Sequence, residues 1–383
     1  MADDELRVLC LHAHYDDFEF VAGGTFELLR RRLGSKLKAK VIVCTDGKAG
    51  HHFRTRDETG NLRLREQEES AKVGGYEFEP LRLPNGEIPR EACLRVSIDL
   101  LAALWKAIRA FEPHYIVCPP ICSDPLAGMH VDHVAVGQAV REVAYMINVP
   151  HAFTLEYPTD ETKSSPCRVP VILNCYDRYQ SATTPFDLGV DTEAAWDVVC
   201  AESFCHHSQI AEWLPWVGRH DIAPPKSMED WSRILRARHT RTNREMRVAT
   251  EHAHEFFTVT AWGEARRSRR CAATFPRRWK APSRRSSGWA SGWPSGGASS
   301  RFVLVRRKGK KARAGCRDGR AGAGGPREIK RRFAKFRLCR ACSLCRNRRA
   351  RPVWRKRASP AARSRRGRCS TSEWPIQWQQ RVV

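Results

Sequence analysis

Two short stretches of the 383-residue chain carry the residue types that hold first-row metal ions. In Leu11 to Thr25, LHAHYDDFEFVAGGT, an apolar run turns within three residues into His14, Asp16 and Asp17. In Gly128 to Ala139, GMHVDHVAVGQA, His130, Asp132 and His133 crowd into four positions before a helical pattern. Imidazole and carboxylate bind zinc while leaving one coordination position free for a water, whose pKa then falls towards about 7. His14, Asp17 and His133 would supply two neutral donors and one anion, which keeps a divalent ion a good Lewis acid. Asp16 is assigned as general base, because the side chains of neighbouring turn residues diverge and one can ligate while the other faces the water. His130 would stand across the substrate, stabilising the tetrahedral oxyanion or protonating the leaving amine, with Asp132 holding its tautomer and raising its pKa. The competing reading is that both groups only cap the helices that follow them. It is evenly matched for the first stretch alone and weaker once the two are taken together.

The two motifs resemble those of the PIG-L/LmbE-like deacetylases, zinc-dependent enzymes that remove the N-acetyl group from N-acetylglucosamine-type sugars. The family's Ala-His-Pro-Asp-Asp, with Glu following, is similar to Ala13-His14-Tyr15-Asp16-Asp17-Phe18-Glu19, and its His-x-Asp-His to His130-Val131-Asp132-His133. Tyr15 stands where the family has Pro, which loosens the turn but removes no ligand. The resemblance extends over about residues 5 to 262 through weaker matches: Thr45-Asp46-Gly47, Arg65 and Glu68 at Arg-x-x-Glu spacing before Gly75, and His206-His207-Ser208-Gln209. It implies the same roles for the metal and catalytic residues, and places Arg65 and His206 at the substrate. Zinc is the implied cofactor, with Fe2+ or another divalent metal compatible with the same donors. The implied partner is a small acetamido sugar or its conjugate, and which sugar is not legible. A reading of a different class is a metal-stabilised domain without hydrolase activity, tethered to nucleic acid by a basic tail.

Elements that would position these residues follow from periodicity. Strand-like LRVLCLHAH, AKVIVCTDG, YEFEPLRLP and PHYIVCPP alternate with helix-like TFELLRRRL, LRLREQEESAKVGG, EACLRVSIDLLAALWKAIRAF and HVAVGQAVREVAYMI. Such alternation predicts an α/β, Rossmann-like three-layer αβα fold with a mostly parallel sheet, and the metal motifs fall just past strand ends, where α/β folds bind ligands. Gly23-Gly24 alone is too weak to signal a dinucleotide site. Later, CRVPVILNCYD reads as a strand, TEAAWDVVCAESFCHHSQIAEWL as a helix bearing His206, and HEFFTVTAWGEA as the last ordinary segment. His51 and His52 sit in a loop after TDG that could close over the site.

Charge divides the chain near residue 265. Residues 266–383 carry 37 Lys+Arg and 3 Asp+Glu, whereas residues 1–265 carry 30 and 39, so the net +25 belongs entirely to the tail. The body, residues 1–265, is read as the deacetylase domain. Residues 266–383 are read as a basic, low-complexity, disordered tail or as a GC-rich gene translated out of frame; a nucleic-acid partner is expected only if the tail is genuine. Cys339, Cys342 and Cys345 have CxxCxxC spacing, but Arg349 stands where a ferredoxin-type fourth Cys is needed. Nine irregularly spaced cysteines in the body read as reduced, buried small hydrophobes. MADDELRV lacks the basic start of a secretion signal and no apolar run is long enough to span a bilayer, so a cytoplasmic protein without membrane contact is expected. The sequence sets no oligomeric state.

Overall fold

The computed structural model describes residues 5–158, 165–180, 186–218 and 223–264 and the two-residue strand Phe302–Val303. The chain divides into two units, Met1–Lys308 with Gln380–Val383 and Gly309–Gln379, and every described residue belongs to the first. Apart from Phe302–Val303, the expected disordered tail, including Cys339, Cys342 and Cys345, lies outside the described residues.

β1 (Leu6–His12), β2 (Leu37–Val43), β3 (Glu77–Pro80), β4 (Tyr115–Cys118) and β5 (Val171–Cys175) run parallel in the spatial order β3-β2-β1-β4-β5. The sheet continues antiparallel through β7 (His254–Val259), β6 (Leu188–Asp191) and β8 (Phe302–Val303). Residues of β1 alternate between two cores. Leu9 and Leu11 join Leu104 and Ile108 of α4 (Ile98–Phe111) and Val136 and Val140 of α5 (Val131–Met146). Val8 and Cys10 join Phe26 and Leu29 of α2 (Gly23–Leu33) and Ala71 of α3 (Arg56–Gly74). Helices therefore cover both faces, which is why β1 reads as a continuous apolar run and why the predicted three-layer α/β fold is obtained. Strand order reverses at β1, since the chain moves to β2 on one side and later to β4 on the other. The crevice of such a sheet opens at that switch point, beyond the strand C-termini.

Local chemistry sets the element ends. Thr55 and Glu58 form a reciprocal capping box at the start of α3, and Gly75 closes it in the left-handed conformation. The helix expected from Glu91 begins only at Ile98, where the Ser97 hydroxyl accepts from Leu100 N–H; residues 91–97 instead run towards the site. The single helix expected over residues 192–214 breaks into α6 (Trp196–Phe204), a wide turn over Ser208–Trp213 and α7 (Leu214–Val217). β6 and α8 (Met228–Glu245) were not expected. The inner face of α8 is Trp231, Leu235, His239 and Asn243, spaced by four, and two polar residues there hide the apolar period. The nine body cysteines are free, six of them buried and Cys93 exposed. No helix of the described residues is long and apolar enough to cross a membrane.

One buried carboxylate carries a stability prediction. Glu202 of α6 packs under α2, where a Cβ on Gly23 would lie 1.8 Å from its Oε1, and that oxygen is buried with no hydrogen-bond partner. Burial, with Glu19, Glu255 and Glu27 nearby, holds the Glu202 carboxyl well above its usual range. The folded state therefore binds this proton more tightly than the unfolded chain, and stability falls as pH rises beyond the ordinary Glu value of about 4.3. Glu202→Gln, a neutral near-isostere, is expected to raise the melting midpoint at pH 7.5 and to leave it little changed near pH 4. A lower midpoint at pH 7.5 would mean that the carboxylate is ionised and paired.

Candidate metal centre

The two motifs meet at the switch point. His12 ends β1, residues 13–16 form the turn after it, and α1 (Asp17–Val21) follows. His130 caps α5, whose approach to the β4 end requires Gly137: a Cβ there would lie 2.6 Å from the Pro120 carbonyl oxygen. Asp16 has φ 93°, a left-handed conformation that is uncommon outside glycine and that throws its side chain away from that of Asp17. Tyr15, where the resembled family has Pro, is buried against Gly47 and meets Phe78 edge-on, so it fixes the turn by packing.

His14 Nδ1, Asp17 Oδ2 and His133 Nε2 converge. Each pair among them is 3.2 Å apart. Ligand atoms about 2.0–2.1 Å from a tetrahedral zinc lie about 3.3 Å from one another, so this triangle is of the size such an ion needs. Other three-residue groups can be drawn here, namely His12, Asp17 and His133, or His14, His130 and Asp132. His12 Nδ1 lies 2.6 Å from Asp17 Oδ2, too close for two ligands of one ion and right for a hydrogen bond that orients the carboxylate. Likewise His14 Nε2 is engaged by Asp132 at 3.1 Å, which leaves Nδ1 as its free ligand atom. His133 Nδ1 is held by Asp177 at 2.9 Å, which leaves Nε2. The donor set of two imidazoles and one carboxylate, each oriented by an outer partner, fits a divalent metal of the zinc type.

The electrostatics reflect this convergence. Burial alone would lower the His14 pKa, but Asp17 and Asp132 reverse that and carry it to about 9. Asp17, buried against three imidazoles, is held well below the usual carboxylate range. Asp16 is raised by burial to about 6, although Arg63, with Nη2 3.2 Å from Asp16 Oδ1, pulls it down. Arg63 is itself buried and ion-paired to Glu91 at 3.0 Å, and it donates to the Tyr15 carbonyl.

Three expectations change. Asp132 accepts from Ala92 N–H (2.6 Å) and Leu94 N–H (3.0 Å) and binds His14 Nε2, whereas its Oδ2 is 3.9 Å from His130 Nδ1. It orients a ligand of the proposed metal instead of holding His130. His130 Nδ1 accepts from the backbone N–H of Asp132, and burial, together with His14 and His133, lowers its pKa. Arg65 is exposed on α3, and Arg63, two residues earlier, is the arginine that reaches Asp16. His206 is fully buried against Glu19, 3.1 Å away, so its place is in the packing beneath α1 and α3. Sequence reasoning missed His12, Arg63, Glu91 and Asp177. His12 and Asp177 stand at or just after the ends of β1 and β5, a position that was available as a signal.

Residues 9–144, which hold both motifs, match the family model described as PIG-L, GlcNAc-PI de-N-acetylase. Among solved structures, the chain is similar to the N,N'-diacetylchitobiose deacetylase of Pyrococcus horikoshii, with 20% identity over 67% of this chain and 84% of that one and a TM-score of 0.51. It also resembles GalB, the 4-carboxy-2-hydroxymuconate hydratase of Pseudomonas putida (16% identity, 66% and 95% covered, TM-score 0.48). A conserved protein of Thermus thermophilus gives 20% identity, 66% and 94% coverage and a TM-score of 0.47. At 20% identity the likeness to the Pyrococcus horikoshii enzyme speaks for the fold alone. No curated protein matches the chain.

Proposed function

We propose that the protein is a metal-dependent N-deacetylase of a GlcNAc-type acetamido sugar or its conjugate. The observation that carries this reading is the triangle of His14 Nδ1, Asp17 Oδ2 and His133 Nε2, flanked by an Asp16 carboxylate that is not part of it. The match of residues 9–144 to a de-N-acetylase family supports the substrate class. When bound, a zinc-type ion supplies Lewis-acid polarisation of the amide carbonyl and a water acidic enough to ionise near neutrality. Asp16, turned away from the ligand set, takes the proton of the attacking water and returns it to the amide nitrogen as the C–N bond breaks, releasing acetate and a free amine. Arg63 holds that carboxylate in place from the side of α3. His130 accepts the Asp132 N–H at Nδ1, so its neutral form carries the proton on Nε2 and can donate a hydrogen bond to the developing oxyanion.

Full-length protein stripped with a chelator and reloaded with graded zinc is expected to release acetate from N-acetylglucosaminides in proportion to bound metal. Stoichiometric metal binding without acetate release from any acetamido sugar would reject the substrate class. Release that is indifferent to the chelator would reject the metal.

A further inference from the structure

His12 and Cys175 meet beneath the metal centre in a contact that the chemistry above does not use. His12 closes β1 on the face that Val8 and Cys10 share, and Cys175 closes β5 on the face that Val171 and Leu173 share. Both residues are buried. β4 lies between the two strands, and just past its end the ring of His12 reaches Cys175, with Nε2 3.7 Å from Sγ.

At its other nitrogen the tautomer of His12 is contested. Asp17 Oδ2, 2.6 Å from Nδ1, can only accept and calls for a proton there, whereas the Ala13 N–H, 3.0 Å from the same atom, calls for a lone pair. The two demands exclude one another. The charge-assisted bond to the carboxylate is the stronger and places the proton on Nδ1, which leaves Nε2 of the neutral ring as a buried acceptor in need of a donor. Burial pushes the Cys175 thiol well above its usual range, so it keeps its proton and is that donor. Resting on the metal centre of the deacetylase reading, we propose that Cys175 is a positioning residue: its S–H, donated to His12 Nε2, locks the Nδ1–H tautomer, in which His12 aims Asp17 and cannot itself become a ligand. With the proton on Nε2 instead, an Nδ1 lone pair would face the carboxylate, and His12, Asp17 and His133 would rival the set built on His14. β5 thereby supports the centre twice, through Cys175 and, two residues on, through Asp177, which holds His133.

The test reads the tautomer itself, by long-range proton–nitrogen NMR of the metal-free full chain labelled at histidine, with the His12 signal assigned through His12→Gln. It also reads zinc affinity, by competition with a chromophoric chelator. Neither readout needs turnover. Cys175→Ala is expected to move His12 towards the Nε2–H form and to lower zinc affinity about tenfold, the low end of what loss of an outer partner costs. Cys175→Ser, which keeps a donor of similar size, should hold the wild-type tautomer and affinity. Alanine and serine variants that behave alike, both weakened or both unchanged, overturn the proposal, as does a wild-type His12 protonated at Nε2 alone. Wild-type protein that binds no zinc, with the tautomer changing only in Cys175→Ala, overturns the metal centre and keeps the Cys175–His12 bond. Zinc bound in the expected pattern by a protein that releases no acetate supports the positioning role and rejects only the substrate class.

Discussion

Asp16→Asn is expected to lower acetate release by about 10³-fold, within the range that a positioned general base contributes, while zinc content stays at the wild-type level. The substitution is nearly isosteric. It keeps the left-handed backbone at residue 16, where Asn is well tolerated, and the Asp16 N–H that donates to Gln67 Oε1. It leaves the triangle of His14, Asp17 and His133 untouched. What it removes is the acceptor of the water's proton and the anion that pairs with Arg63. Metal analysis, a melting curve and steady-state kinetics on the same preparation separate these effects. If turnover fell only severalfold with KM raised, Asp16 would be binding substrate and another group would be the base. A metal-stabilised binding module would release no acetate with either residue, so the same variant pair discriminates the two functional classes.

The sequence marked the residues that converge at the candidate site better than those around them, for a physical reason. His14, Asp16, Asp17, His130, Asp132 and His133 lie in two short stretches that each lead from a strand into the next helix, so β-α alternation suffices to bring them to one edge of a parallel sheet. Supporting residues depend on how helices are rotated. Arg63 and Arg65 both sit within α3, each has a glutamate three residues on, and they face nearly opposite directions around the axis. The buried face of α3 is Thr59, Gly60, Arg63, Glu66, Gln67, Ser70, Ala71 and Gly74, with Ala71 too little of an apolar stripe to mark it. Only docking shows that Glu66 accepts from Ser208 and Gln67 donates to Glu19. His206 looked chemical by type, yet it sits where α6 breaks and packs on Glu19. Asp132 shows the same limit at shorter range: adjacency to His130 and His133 said nothing of its reach to His14, 118 positions away.

Loss of the single anion in the ligand set should be the largest effect on metal binding. Asp17→Asn keeps an oxygen able to accept from His12 Nδ1 and from the His14 N–H, now 2.6 and 2.8 Å from Oδ2, so the turn can persist. The amide carries no charge, however, and the ion would face two neutral imidazoles only. Zinc affinity, measured by competition with a chromophoric chelator, is expected to fall by clearly more than the about 10–100-fold that loss of an outer partner costs. Asp177→Asn, which only weakens the hold on His133 Nδ1, should fall within that smaller range and sets the internal standard. Activity should track occupancy in both variants and return in Asp177→Asn at saturating zinc. The arrangement also predicts which alternative would emerge. If a His14 variant retained wild-type affinity while Asp17→Asn lost it, the ion would be held by His12, Asp17 and His133, and the 2.6 Å contact of His12 with Asp17 would be a ligand pair rather than the hydrogen bond that aims the carboxylate.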